Sequence, residues 1–161
     1  MFKETKMGCD IHGYIEELVN NEWTNSGELI KNHEMDYGDE PPSYDLNSEI
    51  SIGRNYDLFG LLACVRSRYL GDLCHPDKGF PEDASDQVAE MFKQWDCDAH
   101  TPSYHTLGDL KEMRKEVTMK NLLKPFNNGV DWVISSLDDV INAFDPLKYD
   151  ESQRLVFWFD N

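Results

Sequence analysis

Two short units carry the residue types of acid–base or metal chemistry. Asp10-Ile11-His12 lies near the start of the chain, and Asp98-Ala99-His100 in its second half, followed by Thr101, Ser103, Tyr104 and His105. On a strand, residues two apart share a face, so a carboxylate in an Asp-x-His unit can orient its imidazole, or both side chains can reach one metal or substrate. Each unit follows a cysteine, Cys9 or Cys97. Together they are more specific than either alone, and Asp10, His12, Asp98 and His100 are the expected catalytic set. A third segment, Gly53-Arg54-Asn55-Tyr56-Asp57, opens a helix, with Arg66 further along. An arginine beside a helix start suits an anion, because guanidinium and free backbone N–H groups address the same oxygen. The chain ends on Trp158-Phe159-Asp160-Asn161, an apolar run closed by an acid and an amide.

The elements that must position these residues follow from periodicity. Residues 9–19 alternate, with Ile11, Gly13 and Ile15 on one face and Asp10, His12, Tyr14 and Leu18 on the other, which predicts a strand. Asn20-Asn21 is a turn signal, and Glu22-Trp23-Thr24 returns as the hairpin partner. Residues 27–51 hold Asp36, Asp39, Glu40, Asp45 and Glu49 with Pro41-Pro42, an acidic loop or irregular strand. Four helices are predicted next. The first is capped by Asn55, with Leu58, Leu61, Leu62, Val65 and Tyr69 as its stripe and Arg66 and Arg68 near its last turn. The second is capped by Asp83 or Ser85, with Val88, Met91, Phe92 and Trp95 inward. The third opens at a capping box, Thr106 to Asp109. The fourth is capped by Ser135 or Ser136 and stops before Pro146. Residues 98–105 read as a polar segment between helices, and Arg154 to Phe159 as a buried strand paired beside the hairpin. The expected fold is α+β: a small, mostly antiparallel sheet formed by the N-terminal hairpin and C-terminal strand, covered by about four helices in a single domain over 1–161.

Composition narrows the function. The 161 residues carry 15 Lys and Arg against 31 Asp and Glu, a net charge of −16, and 40% are hydrophobic. That apolar content supports a folded core and excludes wholesale disorder. The negative potential excludes nonspecific nucleic-acid binders and anionic membrane surfaces as partners. The four cysteines contain no CxxC pair, and no apolar leader or membrane-length run occurs, so a soluble cytoplasmic protein with unpaired thiols is expected.

Met7-Gly8-Cys9-Asp10-Ile11-His12, then Arg54-Asn55-Tyr56-x-Leu58-Phe59 with Ala63-x-Val65-Arg66, Gly79-x-Pro81-x-Asp83-x-Ser85, Asp98-x-His100 and Leu155-Val156-Phe157-Trp158-Phe159-Asp160-Asn161 span nearly the whole chain. In this order they resemble a small family of mostly uncharacterised proteins encoded by tailed bacteriophages and prophages. The resemblance implies that Met7 is the usual start, leaving residues 1–6 as an extension, and that the protein acts in the host cytoplasm. It also implies a shortlist of Asp10, His12, Arg54, Tyr56, Arg66, Asp98 and His100. Thr101 stands where the family has Ser, and Tyr104 where Trp is common. Asp10-Ile11-His12-Gly13 also resembles the first metal motif of calcineurin-like phosphoesterases, but the intervening Gly-Asp and following Gly-His-x-His motifs are missing.

The expected function is binding, and narrowly hydrolysis, of a phosphate-containing, nucleotide-like small molecule, with a host-defence signal as one candidate. His12 or His100 would act as general acid and base, Asp10 and Asp98 would fix their tautomers, and Arg54 and Arg66 would neutralise the phosphate. Tyr56, Ser103 and Tyr104 would complete the ligand site. The cofactor is open: a divalent metal is a candidate, with the same Asp and His residues as ligands. The competing readings are a nucleotide sponge without catalysis and an acidic DNA mimic that inhibits a host protein. A host protein and a second copy of the chain remain candidate partners.

Overall fold

Strand β1 (Ile11–Val19) forms as its alternation predicts, and turns at Asn20 and Asn21 into β2 (Glu22–Thr24). Both turn residues have positive φ, 52° and 67°, the geometry asparagine tolerates in a tight hairpin. The computed structural model describes residues 8–32, 42–66, 73–123 and 130–160. Within them β3 (Leu29–Lys31) and β4 (Tyr44–Leu46) pair as a separate small hairpin inside the acidic region, and Glu49 bridges back to Tyr14 on β1. Asp36, Asp39 and Glu40 lie outside the described residues.

The main sheet has the order β2-β1-β6-β5, antiparallel at every step. The expected α+β architecture is what the chain adopts. β6 (Gln153–Phe159) is buried at every residue because both faces of the sheet are covered. Leu155, Phe157 and Phe159 join Ile11 in a core with Leu58, Leu61 and Leu62 of α1 (Tyr56–Ala63), Leu110 of α3 (Leu107–Leu123) and Leu137 of α4 (Val130–Asn142). Val156 and Trp158 face the other way, with Tyr14, Leu46 and the Val88–Met91 stripe of α2 (Asp86–Trp95).

Three expected boundaries shift. Residues expected as a polar connection form β5 (His100–Thr106), an edge strand with a bulge between His100 and Ser103. Helix α1 ends at Ala63, where Cys64 turns left-handed with φ 56°, so Arg66 lies past the helix; Arg68 and Tyr69 are outside the described residues. Helix α4 starts at Val130, which leaves Ser135 and Ser136 in mid-helix.

The expectation of four unpaired cysteines is also corrected, because Cys64 and Cys74 form a disulfide. Cys9 is a buried thiol and Cys97 an exposed one.

An ion pair joins the strands inside the second core. Arg154 on β6 is 3% exposed and Glu16 on β1 is 0% exposed. The Arg154 Nε donates to Glu16 Oε2 at 2.8 Å, and its other nitrogens reach Asp83 Oδ1 at 2.8 Å and the Asp83 carbonyl at 3.2 Å. The guanidinium lies 4.0 Å from the Trp23 ring centre and 5.5 Å from that of Tyr104. Glu16 Oε1 accepts the Ser85 backbone N–H at 2.6 Å, which anchors the start of α2.

Candidate functional site

The shortlist residues gather at one end of the sheet, where β1 begins, β6 ends and β5 begins. Register pairs Ile11 with Phe159 and His12 with Trp158, and Phe159 pairs with His100 on its other side. The two ends of the chain are stitched there: the Asp160 N–H donates to the Asp10 carbonyl at 3.1 Å, and the Asp10 N–H to Asp160 Oδ1 at 3.0 Å.

His12 is held between two carboxylates. Its Nδ1 is 2.8 Å from Glu49 Oε1 and its Nε2 is 3.1 Å from Asp160 Oδ2. Ionised carboxylates only accept, so both ring nitrogens donate and the ring is an imidazolium. Burial alone would lower its pKa, but the hydrogen bonds and charges of Glu49 and Asp160 outweigh it and raise the pKa above 6.5. The ring lies 4.2 Å from that of Trp95, tilted by 34°. Tyr14 donates its hydroxyl to Glu49 Oε2 at 3.3 Å, and burial followed by the Glu49 charge pushes that phenol upward.

His12 and Trp95 line a groove of about 320 Å³ with Tyr44, Asp45, Glu49 and Asp98 among its walls. The hydroxyl of Ser43, also in the wall, is buried without a hydrogen-bond partner among the described residues. The groove therefore offers aromatic surface, acceptor carboxylates and one uncommitted hydroxyl.

The other shortlist residues lie around this site without converging on it. Arg54 grips Asp10 with two parallel bonds, Nε to Oδ1 at 2.8 Å and Nη2 to Oδ2 at 2.5 Å. The Arg54 hydrogen bond holds the Asp10 carboxyl below its ordinary range against a smaller opposing effect of desolvation. Gly8 lets this arginine pass, since a Cβ there would sit 2.7 Å from Arg54 Nη1. Tyr56 accepts the Cys9 N–H at 3.4 Å, and Arg66 lies over the Tyr56 ring at 5.2 Å. The expected anion-binding arginines thus already have partners.

His100 faces the opposite side of the sheet from His12. Its ring stacks on Phe159 at 5.9 Å, in the core under α1, while His12 packs beside Trp158 and Trp95 under α2. The expected shared cavity of His12 and His100 is corrected accordingly. His100 Nδ1 pairs with Thr101 Oγ1 at 2.9 Å. Ser103 is buried and accepts the Lys78 N–H at 3.0 Å, and the Tyr104 ring carries the cations of Lys78 and Arg154, so both serve the frame of β5.

Among the described residues no group of three His, Cys, Asp or Glu side chains is arranged to hold a metal ion. The donor set at His12 does not fit one, since both its nitrogens carry protons in the clamp. Among the described residues no helix is long and apolar enough to cross a membrane. No protein-family model, curated protein or solved structure matches the chain.

Sequence reasoning missed Glu49 and Trp95. Glu49 was one acid among several in a loop, and Trp95 fitted the apolar stripe of α2. The signal for Asp160 was present in a terminus that ends an apolar strand on an acid.

Proposed function

We propose that the protein binds a small molecule with a flat, amino-bearing ring of nucleotide type in the groove beside His12 and Trp95, and sequesters it without cleaving it. The observation that carries this reading is the His12 imidazolium, fixed by Glu49 and Asp160 and packed at a tilt against Trp95. A ring held this way is a rigid platform: it has no nitrogen left to take a proton, and both of its N–H groups are committed to Glu49 and Asp160 instead of a ligand, which favours capture over general acid–base hydrolysis. Ring amino groups would donate to Asp45 or Asp98, and the Ser43 hydroxyl is available for a ring nitrogen. A phosphate on the same ligand would have to draw Arg54 away from Asp10, so the ring rather than the phosphate supplies most of the recognition.

On the resemblance to phage-encoded proteins we take an infected cell as the setting of this activity and a nucleotide signal of the host as the ligand to try first. In a reducing cytoplasm the Cys64–Cys74 disulfide would be open to reduction. The test is calorimetric titration of the full chain with nucleosides, mononucleotides and cyclic nucleotides. One of them should bind saturably, Trp95→Ala should weaken it by about tenfold or more through lost stacking, and denaturation should release it intact. Absence of binding across the panel overturns the proposal. So does product formation that His12→Gln abolishes, which would restore hydrolysis.

A further inference from the structure

A second cavity, of about 350 Å³, lies at the other end of β5, between the segment after Cys74 and the first turns of α3. Its side chains are absent from the site described above. His105, the penultimate residue of β5, is 1% exposed and lines it. The His105 Nε2 is 2.7 Å from the Leu62 carbonyl at the end of α1. A carbonyl only accepts, so Nε2 carries the proton and the Nδ1 of the neutral ring holds a lone pair. That Nδ1 has no hydrogen-bond partner among the described residues, and Asp109 Oδ2, 3.9 Å away, is beyond reach and is itself an acceptor. Burial, the largest effect, lowers the pKa of this ring to about 4, so the lone pair persists at neutral pH.

A buried acceptor facing a cavity needs a donor. Four carboxylates line the cavity, Asp77, Asp109, Glu112 and Glu116, against one lining ammonium, Lys78, which sits 3.0 Å from Asp109 Oδ2, while Glu112 also meets the solvent-exposed Lys115 at 3.3 Å. His75 adds its ring, with Nε2 at 3.3 Å from Glu116 Oε2, and Met113 and Pro76 add apolar wall. This balance repels anions. It also differs from a metal centre, because the Asp109 carboxylate is already neutralised by Lys78. The remaining chemistry is that of an organic cation: N–H donors for His105 Nδ1, positive charge for Glu112 and Glu116, and methylenes against Met113.

We infer that this cavity is a binding site for a small aliphatic amine or guanidine, with one N–H donated to His105 Nδ1 and its charge faced by Glu112 and Glu116. The wall is braced for it, since the His75 backbone N–H donates to the Leu61 carbonyl at 3.1 Å and ties this segment to α1.

The experiment is calorimetry of the full chain with 1,4-diaminobutane and with agmatine, at an ionic strength that suppresses loose binding to an acidic protein. One-to-one binding is expected for at least one of them. The Glu112→Gln, Glu116→Gln double variant, altered only at partly exposed helix positions, should weaken it by about tenfold or more. His105→Gln should weaken it similarly while keeping the fold, as checked by circular dichroism; if that variant unfolds, the double variant alone decides. Glu22→Gln on β2 should leave binding unchanged. The inference is overturned if neither amine binds, if Glu22→Gln weakens binding as much as the double variant does, or if Zn²⁺ binds there and the amines do not.

Discussion

At the scale of single residues, the largest stakes lie in groups that are buried and charged. Glu16 and Glu17 are adjacent and chemically alike, yet strand parity puts Glu16 in the core with Arg154 and leaves Glu17 to pair with Lys148 at the surface. A buried pair pays heavily for desolvation, and removing one partner strands the other without water. Arg154→Met should therefore cost about 3–5 kcal/mol, read as a lower urea midpoint. Glu16→Gln leaves one acceptor oxygen for two donors, the Ser85 N–H and Arg154, and turns an NH2 group toward the other, so it should lower the midpoint as well. An Arg154→Met protein within about 1 kcal/mol of the parent would mean that Trp23 and Tyr104 alone support this region. Nothing local in the sequence distinguishes Glu16 from Glu17 as an ion-pair partner; the distinction depends on a strand 138 residues away.

At the scale of elements, the local signals were legible where side chain and backbone interact within a few residues. Thr106 and Asp109 form the reciprocal capping box their spacing predicts, each side chain accepting the other's N–H at 3.1 Å. Asn55 caps α1 as predicted, with its oxygen accepting the Asp57 and Leu58 N–H groups at 3.1 Å. The elements that were misread depend on partners. β5 contains Pro102 and polar alternation, and becomes a strand because an edge position and a bulge at Thr101, with φ 50°, accommodate both. The serines of α4 looked like caps, but Ser136 instead accepts the Asn55 Nδ2 at 3.0 Å, which ties α4 to the start of α1. The candidate site shows the same division: the Asp10-x-His12 unit was visible, while Glu49 and Asp160 come to it only through the fold. Asn55→Ala removes the cap and this cross-link together and should cost about 1–2 kcal/mol. Asn55→Asp retains the cap oxygen and loses the amide donor, so its thermal midpoint should fall between the two. Equal midpoints for the Ala and Asp variants would assign the whole effect to the link with α4.

For the whole molecule, a net charge of −16 suggests that mild acidification should stabilise the fold by relieving self-repulsion. Two histidines set a different and more specific profile. His12 faces Glu49 and Asp160 and has its pKa raised above 6.5, so its stabilisation is complete below 6.5 and is lost as pH climbs through the raised value. His105 faces Leu62, Lys78, Asp109 and His75, and burial first among these influences depresses its pKa from 6.5 to about 4. The unfolded chain then binds a proton that the folded chain refuses, so stability is present above 6.5 and falls as pH drops toward 4. That depression corresponds to about 3 kcal/mol once the pH is below both values. Most carboxylates remain ionised between pH 5 and 7, so charge relief is small there and His105 governs the acid limb. Stability measured by urea unfolding should accordingly peak near neutrality, decline toward pH 4 and decline again on the alkaline side. His105→Gln should flatten the decline between pH 6.5 and 4, and His12→Gln the decline above 6.5, each leaving the other limb in place. If the acid limb survives unchanged in His105→Gln, the cost of acid lies in the carboxylate pairs at Asp10 and Asp109, whose lowered pKa values would then have to carry it at lower pH.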